Sequence, residues 1–147
     1  MSHLVNARGI SLFSNGIYAG VGLTLAAVTI PSLKECKDPL PVFTRSVDNA
    51  HILTLSSVLV SSGCHLYIYY KTKNPRALWC GVASFVGLPY TVAFLLPINN
   101  QLTVLQEKST TDDSFKINDL ITQWGHRQWF KVLVGNAAFI FNIFFYS

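Results

Sequence analysis

Asn99 is the residue whose setting most invites chemistry. It follows Pro97 at the end of Ala77 to Gln106, a run of 30 residues without Asp, Glu, Lys or Arg. Proline leaves one backbone carbonyl without its helical donor. An asparagine beside it either bonds that carbonyl or aims a donor between helices. Histidine supplies the next candidates. His65 lies near the end of a second uncharged run, Asn49 to Tyr70, and reads as a satisfied polar residue or a base. His51 opens the same run and reads as interfacial. His126 sits in Trp124-Gly125-His126-Arg127-Gln128-Trp129, where aromatics and Arg127 suit a headgroup boundary or a catalytic cluster. Asn15, Asn136 and Asn142 stand in other uncharged runs and read as amides bonding across to neighbouring helices.

Other chemistries are excluded by what these runs lack. None of the seven Asp and Glu residues falls inside one. That argues against proton-coupled transport and against a di-metal carboxylate oxidase. There is no H-E-x-x-H, no G-x-S-x-G and no phosphate loop. Cys36, Cys64 and Cys80 form no C-x-x-C, so neither a metal site nor a disulfide framework is expected. The net charge of +4 is spread along the chain, too thinly for nucleic acid. Its densest cluster, Lys71, Lys73 and Arg76, reads as a cytoplasmic anchor at a short turn.

The elements that position these residues are membrane helices. Residues 9–33 add an uncharged run of 25, and Val132 to Ser147 one of 16. About 20 apolar helical residues cross a bilayer core. The last run reaches that length with Trp129, Phe130 and the stem of Lys131, its ammonium snorkelling to the interface. Charged residues are 12% of the chain and apolar ones 50%, which suits lipid better than water. The expected fold is an all-α integral membrane four-helix bundle, one domain over residues 1–147, with a short amphipathic helix before the last span.

The expected first span runs from about Gly9 to Ile30 and is closed by Pro31. Gly16, Gly20 and Thr24 give it a smooth packing face. A proline-broken loop covers Ser32 to Asp48. The second span covers Ala50 to Tyr70, ending in an aromatic belt of Tyr67, Tyr69 and Tyr70. Asn74-Pro75 makes a tight turn. The third span, from Ala77 to Leu96, carries Pro89, and Pro97 breaks or kinks the chain after it. Ser109 to Asp113 is a polar turn, and Ser114 caps an amphipathic helix with Ile117, Leu120, Ile121 and Trp124 on one face. Four spans put both termini on one side, together with the Lys71 to Arg76 turn. The charge density there favours the cytosol.

Three motifs, taken in order, resemble the anthrone oxygenase-like (noranthrone monooxygenase-like) family of small four-helix membrane proteins. They are Asn15-Gly16-Ile17-Tyr18-Ala19-Gly20-Val21-Gly22-Leu23-Thr24 followed by Pro31 and Leu33; Leu96-Pro97-Ile98-Asn99-Asn100-Gln101-Leu102; and Trp124 followed by the basic Lys131. The resemblance covers nearly the whole chain and implies a cofactor-free oxygenase that converts a polyketide anthrone to an anthraquinone. The pattern carries over to Gly16, Gly20, Pro97, Asn99, Leu102 and Trp124. It departs at Gln128, where family members commonly show histidine, and at Lys131, where they commonly show arginine. Lysine keeps the charge but loses the planar fork. Glutamine is no general base.

Such chemistry needs an apolar slot, a base, and donors for an enolate oxygen. The candidate donors are Asn99, Trp124 and Lys131, and the candidate bases are His126 and His65. The partners implied are the lipid bilayer and an apolar aromatic small molecule, with no cofactor. Two other functions fit the same chain. One is a non-catalytic subunit packing against another membrane protein, suggested by the small-residue face and by Gln128. The other is a small lipid-binding protein or transporter.

Overall fold

The computed structural model describes residues 2–108 and 113–144. Four helices make up the described chain: α1 Ser2–Lys34, α2 Pro39–Thr72, α3 Pro75–Glu107 and α4 Ser114–Phe144. They run up-down-up-down. α2 packs on α1 and α3, and α4 packs on α1 and α3. The bundle therefore has two ends. The terminal end gathers the starts of α1 and α3 and the finishes of α2 and α4. The loop end gathers Glu35 to Asp38 and the start of α4. α1, α2 and α3 are long and apolar enough to cross a membrane. α4 is as long, but Gln128, Lys131 and Asn142 lower its apolar character, and all three are buried against the other helices. The outer surface is apolar on all four helices, with Phe13, Ile52, Val92 and Leu133 each more than three-fifths exposed. In water such a surface would drive aggregation; in lipid it costs nothing.

Proline does not stop these helices where the sequence suggests. α1 continues through Pro31 to Lys34, and α3 continues through Pro97 to Glu107. In each, a wider π-turn comes just before the proline: Leu25–Thr29 and Thr91–Leu95. The Ile30 N–H reaches back to the Leu25 carbonyl, and the Leu96 N–H to that of Thr91. A proline ring normally strikes the carbonyl four residues earlier and leaves it unpaired. Those carbonyls belong to Ala27 and Ala93, and both lie inside the widened turns. The π-turn is the accommodation that keeps each helix whole. Pro89 acts more locally: α3 is interrupted at Val86, four residues after Val82, whose carbonyl accepts its N–H at 3.1 Å.

Three further boundaries differ from expectation. The expected loop over Ser32 to Asp48 is helical apart from Glu35 to Asp38, because Pro39 and Pro41 occupy the first turn of α2, where proline is tolerated. The amphipathic stretch is not separate from the last span. Both belong to α4, whose first half buries Ile117, Leu120, Ile121 and Trp124 as expected. Gly20 and Thr24 face outward, so the expected smooth face is only partly used. Gly16 meets Phe139 at 3.7 Å, and Gly22 is the glycine that turns inward. Most of the expected polar turn, residues 109–112, lies outside the described residues.

The larger apolar core fills the loop end, with Leu33, Phe43, Leu95, Leu102, Ile121 and Trp124 at its centre. A smaller one joins Ala7, Ile68 and Ala77 at the terminal end. Between them the interior is polar.

Candidate functional site

Three polar layers stack along the bundle axis. The layer nearest the terminal end joins three helices. Ser11 of α1 donates to the Arg8 carbonyl at 2.9 Å and faces the Asn142 amide of α4 at 3.4 Å. The same amide nitrogen lies 3.2 Å from His65 Nε2 on α2. With the amide nitrogen donating, His65 Nε2 is the acceptor of this bond. All three side chains are fully buried. Close by, Ser61 donates to Ser84 at 3.4 Å, and Ser84 donates to the Cys80 carbonyl at 2.8 Å. Asn142 thus bonds across helices as expected, whereas Asn136 bonds back to the Val132 carbonyl of its own helix at 2.8 Å.

The middle layer is built around Lys131. Its side chain is buried, and among the described residues it makes no ion pair with a carboxylate. Nζ lies 5.5 Å from the centroid of the Tyr18 ring, a cation–π contact from α4 to α1. Tyr18 is in turn wedged between two glycines. A Cβ on Gly135 would stand 2.7 Å from Tyr18 Cε1, and one on Gly87 would collide with the Tyr18 hydroxyl. The phenol can occupy the centre only because α3 and α4 present hydrogen in place of a side chain there. Three helices contribute to this layer: Tyr18 of α1, Gly87 of α3, and Lys131 and Gly135 of α4. One turn toward the loop end, Gln128 is buried, its Nε2 3.5 Å from the Gly22 carbonyl and its Oε1 unpartnered.

The third layer lies within the larger core. Trp124 is 1% exposed and meets Phe43 edge to face, at 5.3 Å between centroids and 86° between planes. Such a pair contributes about 0.5–1.5 kcal/mol beyond simple burial. Its indole Nε1 has no acceptor among the described residues. Asn99 is buried on α3, and among the described residues its Oδ1 has no donor. Orphaned buried polar atoms are uncommon and call for an explanation.

Of the five candidates read from the sequence, Asn99, Trp124, Lys131 and His65 are buried inside the bundle. His126 is exposed on the outer face of α4. His65 and Lys131 belong to different layers. Sequence reasoning missed Tyr18 as a central residue, although its place among Gly16, Gly20 and Gly22 marked a close approach. It also missed the clamp between α3 and α4. There Arg127 Nη1 donates to the Phe94 carbonyl in the π-turn at 2.8 Å, and the Tyr90 hydroxyl donates to the Arg127 carbonyl at 3.1 Å. Tyr90 also stacks on Phe94 and Phe130, at 4.9 Å each.

The free volume beside Lys131 is only about 10 Å³, bounded by Val86, Gly87, Tyr90, Phe130 and Val134. A ring-shaped substrate enters this layer only if α3 and α4 part. Larger recesses lie elsewhere, one of about 480 Å³ at the loop end, around Pro39, Gln106 and Ser114.

No curated protein and no solved structure matches the chain. A family model does, that of anthrone oxygenase, over residues 43–141. The match spans most of α2, all of α3 and nearly all of α4. It includes Asn99, Trp124 and Lys131 and leaves the Tyr18 segment outside. The chain belongs to the anthrone oxygenase family.

Proposed function

We propose that this chain crosses a bilayer four times and oxidises an apolar aromatic carbon acid of the anthrone type with O₂, without a cofactor. Lys131 carries the proposal. It is a buried basic side chain without a carboxylate partner among the described residues, where α1, α3 and α4 meet, in a chain of this family. Uncompensated basic groups at membrane depth are costly and mark functional sites.

The chemistry follows from the substrate. An anthrone methylene loses a proton to give a carbanion delocalised onto its carbonyl oxygen. The Lys131 ammonium stabilises that oxygen, as a donor placed where charge develops. His51 takes the proton. His65 Nε2 is already engaged by Asn142 and His126 faces outward, which leaves the half-buried His51 of α2. The carbanion adds O₂ to form a hydroperoxide, which loses water. The net change is CH₂ plus O₂ to C=O plus H₂O. Trp124 Nε1 and Asn99, one layer away, offer further unpaired polar groups to the substrate.

Anthrone-dependent O₂ uptake by the detergent-purified protein tests this reading. Lys131→Met is expected to lower the rate roughly 10²–10³-fold, the usual effect of deleting a donor to a developing oxyanion. Lys131→Arg is expected to keep part of it. Uptake no faster than in buffer, or an unaffected Lys131→Met variant, would overturn the proposal.

A second reading is favoured by Gln128, which fills the site of the family's usual histidine and reaches the Gly22 carbonyl. On that reading the chain is a non-catalytic membrane subunit. Co-purification with another membrane protein at fixed stoichiometry, with no O₂ uptake, would support it.

A further inference from the structure

The charges of this chain are separated by end. All seven acidic residues, Glu35, Asp38, Asp48, Glu107, Asp112, Asp113 and Asp119, lie in the sequence on the loop-end halves of the helices or in the connections there. The terminal end carries Arg8, Lys71, Lys73 and Arg76 and no acid. Two of these cations, Lys71 and Lys73, lie against aromatic rings. Lys71 Nζ lies 6.0 Å from the centroids of both Tyr67 and Tyr70, and Lys73 Nζ lies 5.0 Å from that of Tyr70. Lys73 adopts a left-handed backbone, φ 54°, which ends α2 and turns the chain into α3.

Directly below Tyr67 a groove of about 460 Å³ runs between α1 and α2. It is lined by the apolar Ala7, Ile10, Leu59, Val60 and Gly63 and by the polar His3, Asn6, Cys64 and Tyr67. Gly63 borders open space in it: a Cβ there meets nothing within 4 Å. A largely apolar groove that ends at Tyr67, with the Lys71 ammonium 6.0 Å from the centroid of that ring, is complementary to an amphiphile with a negative head and a hydrocarbon tail. We infer that this groove holds one acyl chain of an anionic phospholipid, whose phosphate is bound by Lys71 with Lys73 beside it. The two parts of the site act on different parts of the lipid. The trough selects for a chain of any lipid, and the lysines select for a negative head. The occupant is a lipid of the leaflet that faces the terminal end, and binding it anchors the α2–α3 turn at the headgroup level.

Native mass spectrometry of the full chain, released from nanodiscs containing equal phosphatidylglycerol and phosphatidylcholine, tests the inference. One phosphatidylglycerol is expected to stay bound through delipidation in preference to phosphatidylcholine. Lys71→Gln with Lys73→Gln is expected to reduce that preference, by about fivefold for each lysine removed. Both positions are exposed, so folding is unaffected. Gly63→Leu fills the trough and is expected to lower retention of both lipids while helix content stays constant. Equal retention of the two lipids by the unaltered chain would overturn the inference. So would a phosphatidylglycerol preference that survives the double lysine change, or lipid retention that survives Gly63→Leu.

Discussion

Gly87 and Gly135 show how single hydrogens set the centre of the bundle. Each faces Tyr18, and a methyl group at either position meets a ring that has nowhere to go. Gly87→Ala is expected to destabilise the protein by about 1–3 kcal/mol through overpacking. Tyr18→Phe removes the hydroxyl that the new methyl would strike. The double change Tyr18→Phe with Gly87→Ala should therefore cost less than the sum of its parts, a non-additivity that thermal unfolding in detergent would reveal. Independent costs for the two changes would mean that Tyr18 does not occupy this seat. The individual residues were unevenly legible in the sequence. The uncharged background made Asn99, His65 and Asn142 conspicuous, and all three are buried. What periodicity could not give was partnership: that Asn142 engages His65 while Trp124 and Gln128 keep unpaired atoms depends on how four helices rotate about their axes. His126 is exposed, as its headgroup-boundary reading implies, since an aromatic and basic neighbourhood in sequence is split around a helix every 100° or so.

The helices themselves were legible in number and order but not at their prolines. A proline in sequence reads as an end or a kink, and the π-turn that bypasses it carries no residue signature of its own. Yet α1 and α3 use the same device at the same spacing, with five widened residues, one ordinary residue and then proline. A π-turn is equivalent to one residue inserted into an α-helix. Deleting Ala93 alone should then force Pro97 against a carbonyl in a regular helix and cost about 3 kcal/mol. Deleting Ala93 together with Pro97→Ala should recover most of that, because both flanks keep their register. Chemical denaturation in mixed micelles would distinguish the two. If the double variant is no more stable than the single one, the widened turn is not there for the proline. The same turn exposes the Phe94 carbonyl to Arg127, so Arg127→Leu should loosen α3 from α4 at the seam through which a substrate would reach Lys131.

At the scale of the whole molecule, the fold was legible because solvent dictates it. Long uncharged runs leave few alternatives to a helical bundle in lipid, where every backbone polar group must be satisfied within its own segment. Less legible was how short the connections are. The second helix begins at Pro39, so only Glu35 to Asp38 join it to the first. The alternation of directions predicts sidedness. Cys36, exposed in that connection, should react with an impermeant maleimide from one face of the membrane. A cysteine placed at Lys73 should react only from the other, in a background without Cys36. Labelling of both from the same face would rule out the antiparallel arrangement. One consequence follows from the phenol lodged at the centre. Trimming Tyr18 to alanine would leave a flat, ring-sized hole lined by two glycines and capped by an amine. Dry cavities of that kind take up small aromatic guests. The altered protein would become a host for p-cresol, which would restore the lost stability from outside and make the bundle's integrity depend on an added molecule.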